Sequence, residues 1–201
     1  MVASAALNFQ QQKMKDSSLS LRFLRDEDEA SFKKAIQEFE AAHPTYQFAF
    51  HWDENGSFPE YVQKTRNWHK GLDLQEGSVP ASYLVGVVGG EVVGRLSLRQ
   101  ALNEFLEKVG GHIGYCVVPR FQGKGYATQM LLTSMKFCRE VGLERVLVTC
   151  NIDNQASQRI IQKCGGEFEG ITNLPELNKQ KRRYWINVPS RNIKHVAGSK
   201  A

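Results

Sequence analysis

Close cysteine pairs are missing from this sequence: Cys116, Cys138, Cys150 and Cys164 stand far apart, with no Cys-x-x-Cys among them. Structural metal sites draw on such pairs or on Cys/His clusters, and five scattered histidines supply none. The expectation is no metal centre and free thiols in a reducing compartment. Long apolar runs are also missing; none approaches the roughly 20 residues needed to span a bilayer. The opening MVASAALNFQQQKMKDSS lacks the basic start and long apolar middle of a secretory signal. Residues 1–18 are therefore expected to be a flexible tail on a cytoplasmic protein with no membrane partner.

Acidic residues are absent from Asn178 to Ala201, a stretch with seven Lys or Arg. The whole chain carries 26 basic and 21 acidic residues, so the remainder holds 19 against 21, a balance of −2. The basic character belongs to the C-terminus, and residues 189–201 read as a basic tail. Such a tail suits either plain solvation or an acidic partner. Nucleic acid is the weaker partner, because no recognised nucleic-acid motif is present and the rest of the chain is slightly acidic.

What the sequence does have is enough length, 201 residues with 41% hydrophobic, for one domain over residues 19–188. Leu19–Leu24 alternates as a strand. Asp26 reads as a helix N-cap, followed by Phe32, Ile36 and Phe39 at helical spacing until Pro44. Phe58–Leu72 reads as a second helix, with Pro59 near its start. Tyr83–Val88 and Val92–Leu98 are strands joined at Gly89-Gly90, a hairpin signal. His112–Val118 is a strand, Ala127–Val141 an amphipathic helix ended by Gly142, and Arg145–Cys150 an apolar strand. Gln155–Lys163 is a short helix, and Glu167–Ile171 and Arg183–Val188 close the sheet. The unit from His112–Val118 through a helix to Arg145–Cys150 is a crossover, which makes those two strands parallel. The rest should be antiparallel, giving a mixed α+β fold.

The chemistry concentrates in Gly114-Tyr-Cys-Val-Val-Pro-Arg-Phe-Gln-Gly-Lys-Gly-Tyr-Ala127, which runs from a strand through a glycine loop into a helix. A helix start offers unpaired N–H groups and partial positive charge, glycines admit a phosphate closely, and Arg120 and Lys124 add charge. A nucleoside-triphosphate loop is excluded, because Gly125 follows Gly123-Lys124 where Ser or Thr is required and Val118 occupies the leading glycine position. A dinucleotide fingerprint fails because Thr128 takes the place of its third glycine.

Arg120-x-x-Gly123-x-Gly125, followed by Asn154-x-x-Ser157 and Gly165-Gly166, resembles the GNAT superfamily of N-acetyltransferases. The resemblance is sharp over about residues 81 to 171. The segments Gly110-Gly-His-Ile-Gly-Tyr115 and Arg183-Tyr-Trp-Ile186 look like an uncharacterised bacterial branch of predicted acetyltransferases. It implies a mostly antiparallel twisted sheet of six to seven strands with a splayed parallel central pair, flanked by about four helices. It also implies acetyl-CoA as cofactor, and an amine-bearing small molecule or peptide as acceptor; a homodimer stays open. Backbone groups at Cys116 and Val118 would then meet the pantetheine amides. An N–H near Val117 or Val118 would polarise the thioester carbonyl, and N–H groups of Gln122, Gly123, Lys124, Gly125, Tyr126 and Ala127 would hold the pyrophosphate. Asn154 and Ser157 would touch the cofactor, although Asn154 also suits a plain N-cap.

Two departures bear on catalysis. His112 stands where many relatives place a glutamate base, and histidine is a competent base near neutral pH. The tyrosine that protonates the leaving thiolate in many relatives is replaced by Ile161, so Tyr126 and Tyr184 are candidate donors by side-chain type. Cys150 and Cys164 have no neighbouring histidine in sequence to activate them and read as buried. A non-catalytic acyl-CoA-binding sensor module is the competing function.

Overall fold

The computed structural model describes residues 18–174 and 179–190; most of both expected tails lies outside them. Seven strands form one sheet: β1 Ser20–Phe23, β2 Ala81–Val88, β3 Glu91–Arg99, β4 Ile113–Val117, β5 Arg145–Asn151, β6 Glu167–Leu174 and β7 Lys179–Asn187. Their order is β1-β2-β3-β4-β5-β7-β6. Every pairing is antiparallel except β4 with β5. Among the described residues, five helices flank it: α1 Glu29–Ala42, α2 Phe58–His69, α3 Glu104–Lys108, α4 Tyr126–Glu140 and α5 Gln155–Lys163. The expected strands and four expected helices are all present. The short α3 is an addition, and β6 and β7 form a longer hairpin than the sequence suggested.

Local chemistry explains the turns. Gly89 and Gly90 both hold positive φ, 56° and 79°, which fits the tight β2–β3 hairpin. Asp26 does not cap α1. It opens a one-turn 3-10 helix, Asp26–Asp28, and α1 begins at Glu29. The buried Asp28 carboxylate instead takes both forks of Arg22 at 2.7 Å and the Arg25 N–H at 2.9 Å. That paired geometry satisfies a buried charge that a simple cap would have left exposed to desolvation.

Strands β2 and β3 are buried on both faces, although antiparallel, because helices cover each side. On one face, Met130, Leu131 and Cys138 of α4 and Ile161 of α5 pack against Leu84, Leu96, Ile113, Val148 and Tyr184. On the other, α1 and α2 roof the β1–β4 half through an aromatic cluster. Phe32 is its hub, fully buried, with the rings of Phe48, Trp52, Phe58, Tyr61 and Tyr83 all within 6.5 Å of its centroid. Truncating Phe32 to alanine should cost about 3–5 kcal/mol, the usual loss for a buried phenylalanine.

The feature that positions the site is the gap between β4 and β5. They share a single register pair, Ile113 with Val148, and then diverge. Just before that pair, the His112 N–H donates to the Leu147 carbonyl at 2.7 Å. Beyond it, Tyr115 and Val117 turn their backbone groups toward an open cleft rather than a neighbouring strand.

Candidate active site

The cleft ends in the glycine loop. After β4 the chain makes a 3-10 turn, Pro119–Phe121, and Gln122 donates its N–H back to Pro119 at 3.1 Å. From Gly123 to Ala127, five successive N–H groups have no partner among the described residues. Gly123 and Gly125 sit at φ 76° and 80°, and a Cβ at Gly123 would meet nothing within 4 Å. Left-handed backbone followed by a helix start, with open space above, is a geometry that suits an oxyanion. Lys124 is exposed and makes no ion pair among the described residues; its Nζ lies 5.3 Å from the Phe121 ring centre. The residues present therefore fit a phosphate-bearing cofactor such as acetyl-CoA.

The geometry revises several sequence expectations. Gln122 has already used its N–H, so the cradle begins at Gly123. Arg120 does not offer a free charge. Its Nη1 pairs with Glu38 Oε2, its N–H donates to Glu38 Oε1 at 2.9 Å, and its Nη2 reaches Glu91 Oε1 at 3.1 Å. Desolvation pushes the Glu38 carboxyl up, but the hydrogen bonds and charge of Arg120 outweigh it and hold the group below its usual value. Arg120 thus ties α1 to the loop.

Val118 donates its N–H to Val93 at 2.9 Å, and Cys116 lies opposite Arg95 in the β3–β4 register. Alternation along a strand therefore turns the backbone of Cys116 and Val118 toward β3 and that of Tyr115 and Val117 toward the cleft. The N–H that faces the cleft is that of Val117, not Val118. The Val117 carbonyl accepts from Gln122 Nε2 at 3.2 Å.

His112 takes a structural role. It is 6% exposed, and its Nδ1 accepts the Leu147 N–H at 2.9 Å. That bond fixes the proton on Nε2 and occupies the lone pair a base would need. Burial, with Arg99 nearby, pushes its pKa down to about 4. Tyr184 is sealed in the core at 1% exposure, its ring 5.5 Å from Phe168. Tyr126 opens α4 with its ring 6.3 Å from Phe121. Ile161 is fully buried, as an apolar residue should be. Asn154 caps α5, its Oδ1 accepting the Ser157 N–H at 2.9 Å. All four thiols are raised by burial, which keeps Cys150 and Cys164 protonated and poor nucleophiles.

One hydroxyl pair was not singled out from the sequence. Tyr115 Oη on β4 lies 2.9 Å from Ser157 Oγ on α5, so the contact bridges the two sides of the cleft. Desolvation pushes the Tyr115 phenol up to about 12, only partly offset by Ser157. It stays protonated at neutral pH. Tyr115 alternates with Ile113 and Val117 onto the α4–α5 face; this two-residue period was the available signal.

A second concavity lies on the opposite face, under α2 and α3. It holds about 390 Å³ and is lined by Phe50, Trp68, Tyr83, Ser97 and Arg99 among others. That volume and lining suit a small organic molecule.

Comparison with known proteins agrees with this geometry. Residues 18–167 match the family described as Acetyltransferase (GNAT) domain. An uncharacterised N-acetyltransferase of Bacillus subtilis (strain 168), YnaD, is 33% identical over 90 residues, 42% of this chain and 53% of that protein. The match thus spans about half the length of that curated relative. Among solved structures, a RimL ribosomal L7/L12 alpha-N-protein acetyltransferase in complex with coenzyme A superposes with a TM-score of 0.59. It is 21% identical, covering 86% of this chain and 95% of that one. Mycobacterium smegmatis RimJ in complex with CoA-disulfide gives 0.63 at 20% identity, over 86% and 83%. These structural likenesses establish the fold. With the family match over most of the sequence and the splayed β4–β5 pair beside a glycine cradle, the chain belongs to the GNAT acetyltransferase family.

Proposed function

We propose that this chain transfers an acetyl group from acetyl-CoA to an amine by direct attack on the thioester. The observation that carries the reading is the β4–β5 cleft leading into five N–H groups, Gly123–Ala127, that have no partner among the described residues. Acetyl-CoA, when bound, supplies the activated acetyl group. The N–H groups of Gly123 to Ala127 and the Lys124 ammonium would hold its pyrophosphate. The backbone of Tyr115 and Val117 would meet the pantetheine arm, and the Val117 N–H would face the acyl carbonyl, an oxyanion-type contact.

Tyr115 is the group we assign to return a proton to the departing sulfur, with Ser157 fixing its hydroxyl. It stands in for the tyrosine that Ile161 replaces. The acceptor must reach the cleft as a neutral amine, since an alkylammonium with a pKa near 10.4 has no lone pair to offer. Buried, protonated cysteines favour direct transfer over a covalent enzyme intermediate.

Thiol release from acetyl-CoA, followed against a panel of primary amines, tests this reading. Amine-dependent release supports it. Tight acetyl-CoA binding with no release on any amine would make the chain a sensor module instead. Among the described residues, no helix is long and apolar enough to cross a membrane.

A further inference from the structure

Two arginines are left over by the site just described. Arg95 and Arg99 lie on β3, separated by Ser97, on the face opposite α4. Arg95 is 9% exposed, yet neither arginine has an acidic partner within ion-pair distance among the described residues. Their hydrogen bonds go to main-chain carbonyls. Arg95 Nε and Nη2 donate to Phe48 and Gln47 at 3.1 and 3.0 Å; Arg99 Nη1 donates to Gly111 and Gly110 at 3.1 and 3.4 Å. Arg95 Nη1 has no partner among the described residues.

The two side chains converge. A Cβ built on Gly114 would lie 3.8 Å from Arg99 Nη1 and 4.0 Å from Arg95 Nη1. Gly114 is the β4 residue directly after the one pair that joins β4 to β5, so both charges aim at the point where the cleft opens. Arg99 lines the 390 Å³ cavity, Arg95 lines a neighbouring cavity, and Phe50 borders both. Asp73 and Glu40, the carboxylates at these cavities, are turned to Asn67 Nδ2 and the Phe48 N–H. Desolvation, then the charge of Arg95, lowers Arg99 to about 10, so Arg99 remains cationic at neutral pH.

A buried guanidinium without a counterion is costly, and a pair aimed at one point more so. A planar fork of N–H donors suits an oxyanion held by two bonds. We propose that the acceptor is a small primary amine bearing a carboxylate or phosphate, and that Arg95 and Arg99 hold that oxyanion above Gly114. The proposal rests on the acetyl-transfer reading for the word acceptor, but the anion site can be tested without turnover. It is separate from the cofactor cradle, which begins at Gly123, beyond the end of β4.

The test has two arms. In the first, tryptophan emission, with Trp68 in the cavity wall, is followed as CoA-saturated protein is titrated with succinate, inorganic phosphate or neutral succinamide at constant ionic strength. Saturable binding of succinate or phosphate, with little of succinamide, is expected; the tighter of the two names the oxyanion. Arg99→Gln should weaken it about tenfold or more. Equal binding of succinamide, or oxyanion binding that CoA abolishes, overturns the proposal.

In the second arm, thiol release is compared for β-alanine and O-phosphoethanolamine against propylamine and ethanolamine. An anionic advantage of about tenfold or more in kcat/KM is expected, carried by KM, and the ratio of anionic to neutral amines should fall toward one in Arg99→Gln. Equal use of all four amines, or an equal fall in kcat for all of them in Arg99→Gln, overturns it. The second result would assign the arginines to the reacting carbonyl. If Arg95→Gln unfolds because Gln47 and Phe48 lose their donor, Arg99→Gln and the wild-type titrations still decide. Oxyanion binding without release on any amine would leave the anion site standing and remove the transfer reading.

Discussion

Replacing Arg120 by alanine should destabilise the protein while leaving acetyl-CoA affinity nearly intact. The motif position suggests a phosphate ligand, whereas the structure shows an anchor between α1, the β3 start and the loop. The Arg120 and Glu38 side chains are 28% and 27% exposed and Glu91 is 50% exposed, so each pair is worth only about 0.5–1 kcal/mol after solvent screening. The guanidinium also stacks 4.4 Å above the Phe121 ring centre, adding about 0.5 kcal/mol. The Arg120 N–H bond to Glu38 survives the substitution. Together these give a loss of about 2 kcal/mol, or a fall in midpoint of about 4–8 °C for a chain of this size. Thermal unfolding measures the first quantity and calorimetric titration with acetyl-CoA the second, with affinity expected to change less than about threefold. A tenfold loss of affinity with an unchanged midpoint would instead make Arg120 a phosphate ligand and not an anchor.

Tyr115→Phe should lower kcat by about a hundredfold, within the range for a lost general acid, with acetyl-CoA affinity unchanged by calorimetry; Tyr184→Phe should leave kcat within about twofold. His112 makes stability pH-dependent with a definite sign. Its folded pKa, about 4, lies below the unfolded value near 6.5, so the unfolded chain binds the proton first as pH falls. Stability is therefore fully present above about pH 6.5 and declines by about 3 kcal/mol toward pH 4. Urea titrations across that window should show the slope, and His112→Gln should flatten it without moving the pH–rate profile. Ile161→Ala should cost about 3 kcal/mol by urea denaturation, because Ile161 is fully buried and its side chain fills the space against Gly166.

The sequence disclosed what local pattern controls. The Gly89-Gly90 hairpin, the glycine loop into α4, and the parallel step from β4 to β5 all follow from turn chemistry and periodicity. Partners distant in the chain were hidden. Arg120 meets Glu38 across 82 positions, and no motif around residue 120 announces that pairing. His112 depends on where β4 begins: the positive φ at Gly111, whose Cα packs so closely on the Leu147 carbonyl of β5 that a Cβ there would clash, fixes the register that aims Nδ1 at Leu147. The backbone roles of Cys116 and Val118 moved by one residue to Tyr115 and Val117 because alternation fixes which groups face the cleft, but only the β3 register fixes its phase. Helix α3 is five residues long, too short to leave a periodic signature. The Tyr115–Ser157 contact spans 42 positions and forms only once β4 and α5 stand on opposite sides of the cleft.

Calorimetric titration of acetyl-CoA into the wild-type protein and into Gly123→Val bears most directly on the central claim. Gly123 has open space above it, so the side chain itself clashes with nothing, but its φ of 76° is hostile to valine and the cradle N–H groups would be re-aimed. One acetyl-CoA per chain is expected for the wild type and at least a tenfold weaker site in the variant, with NAD failing to bind either. Wild-type protein that does not bind acetyl-CoA, or a folded variant that binds it equally well, would contradict the assignment of the cleft and its loop.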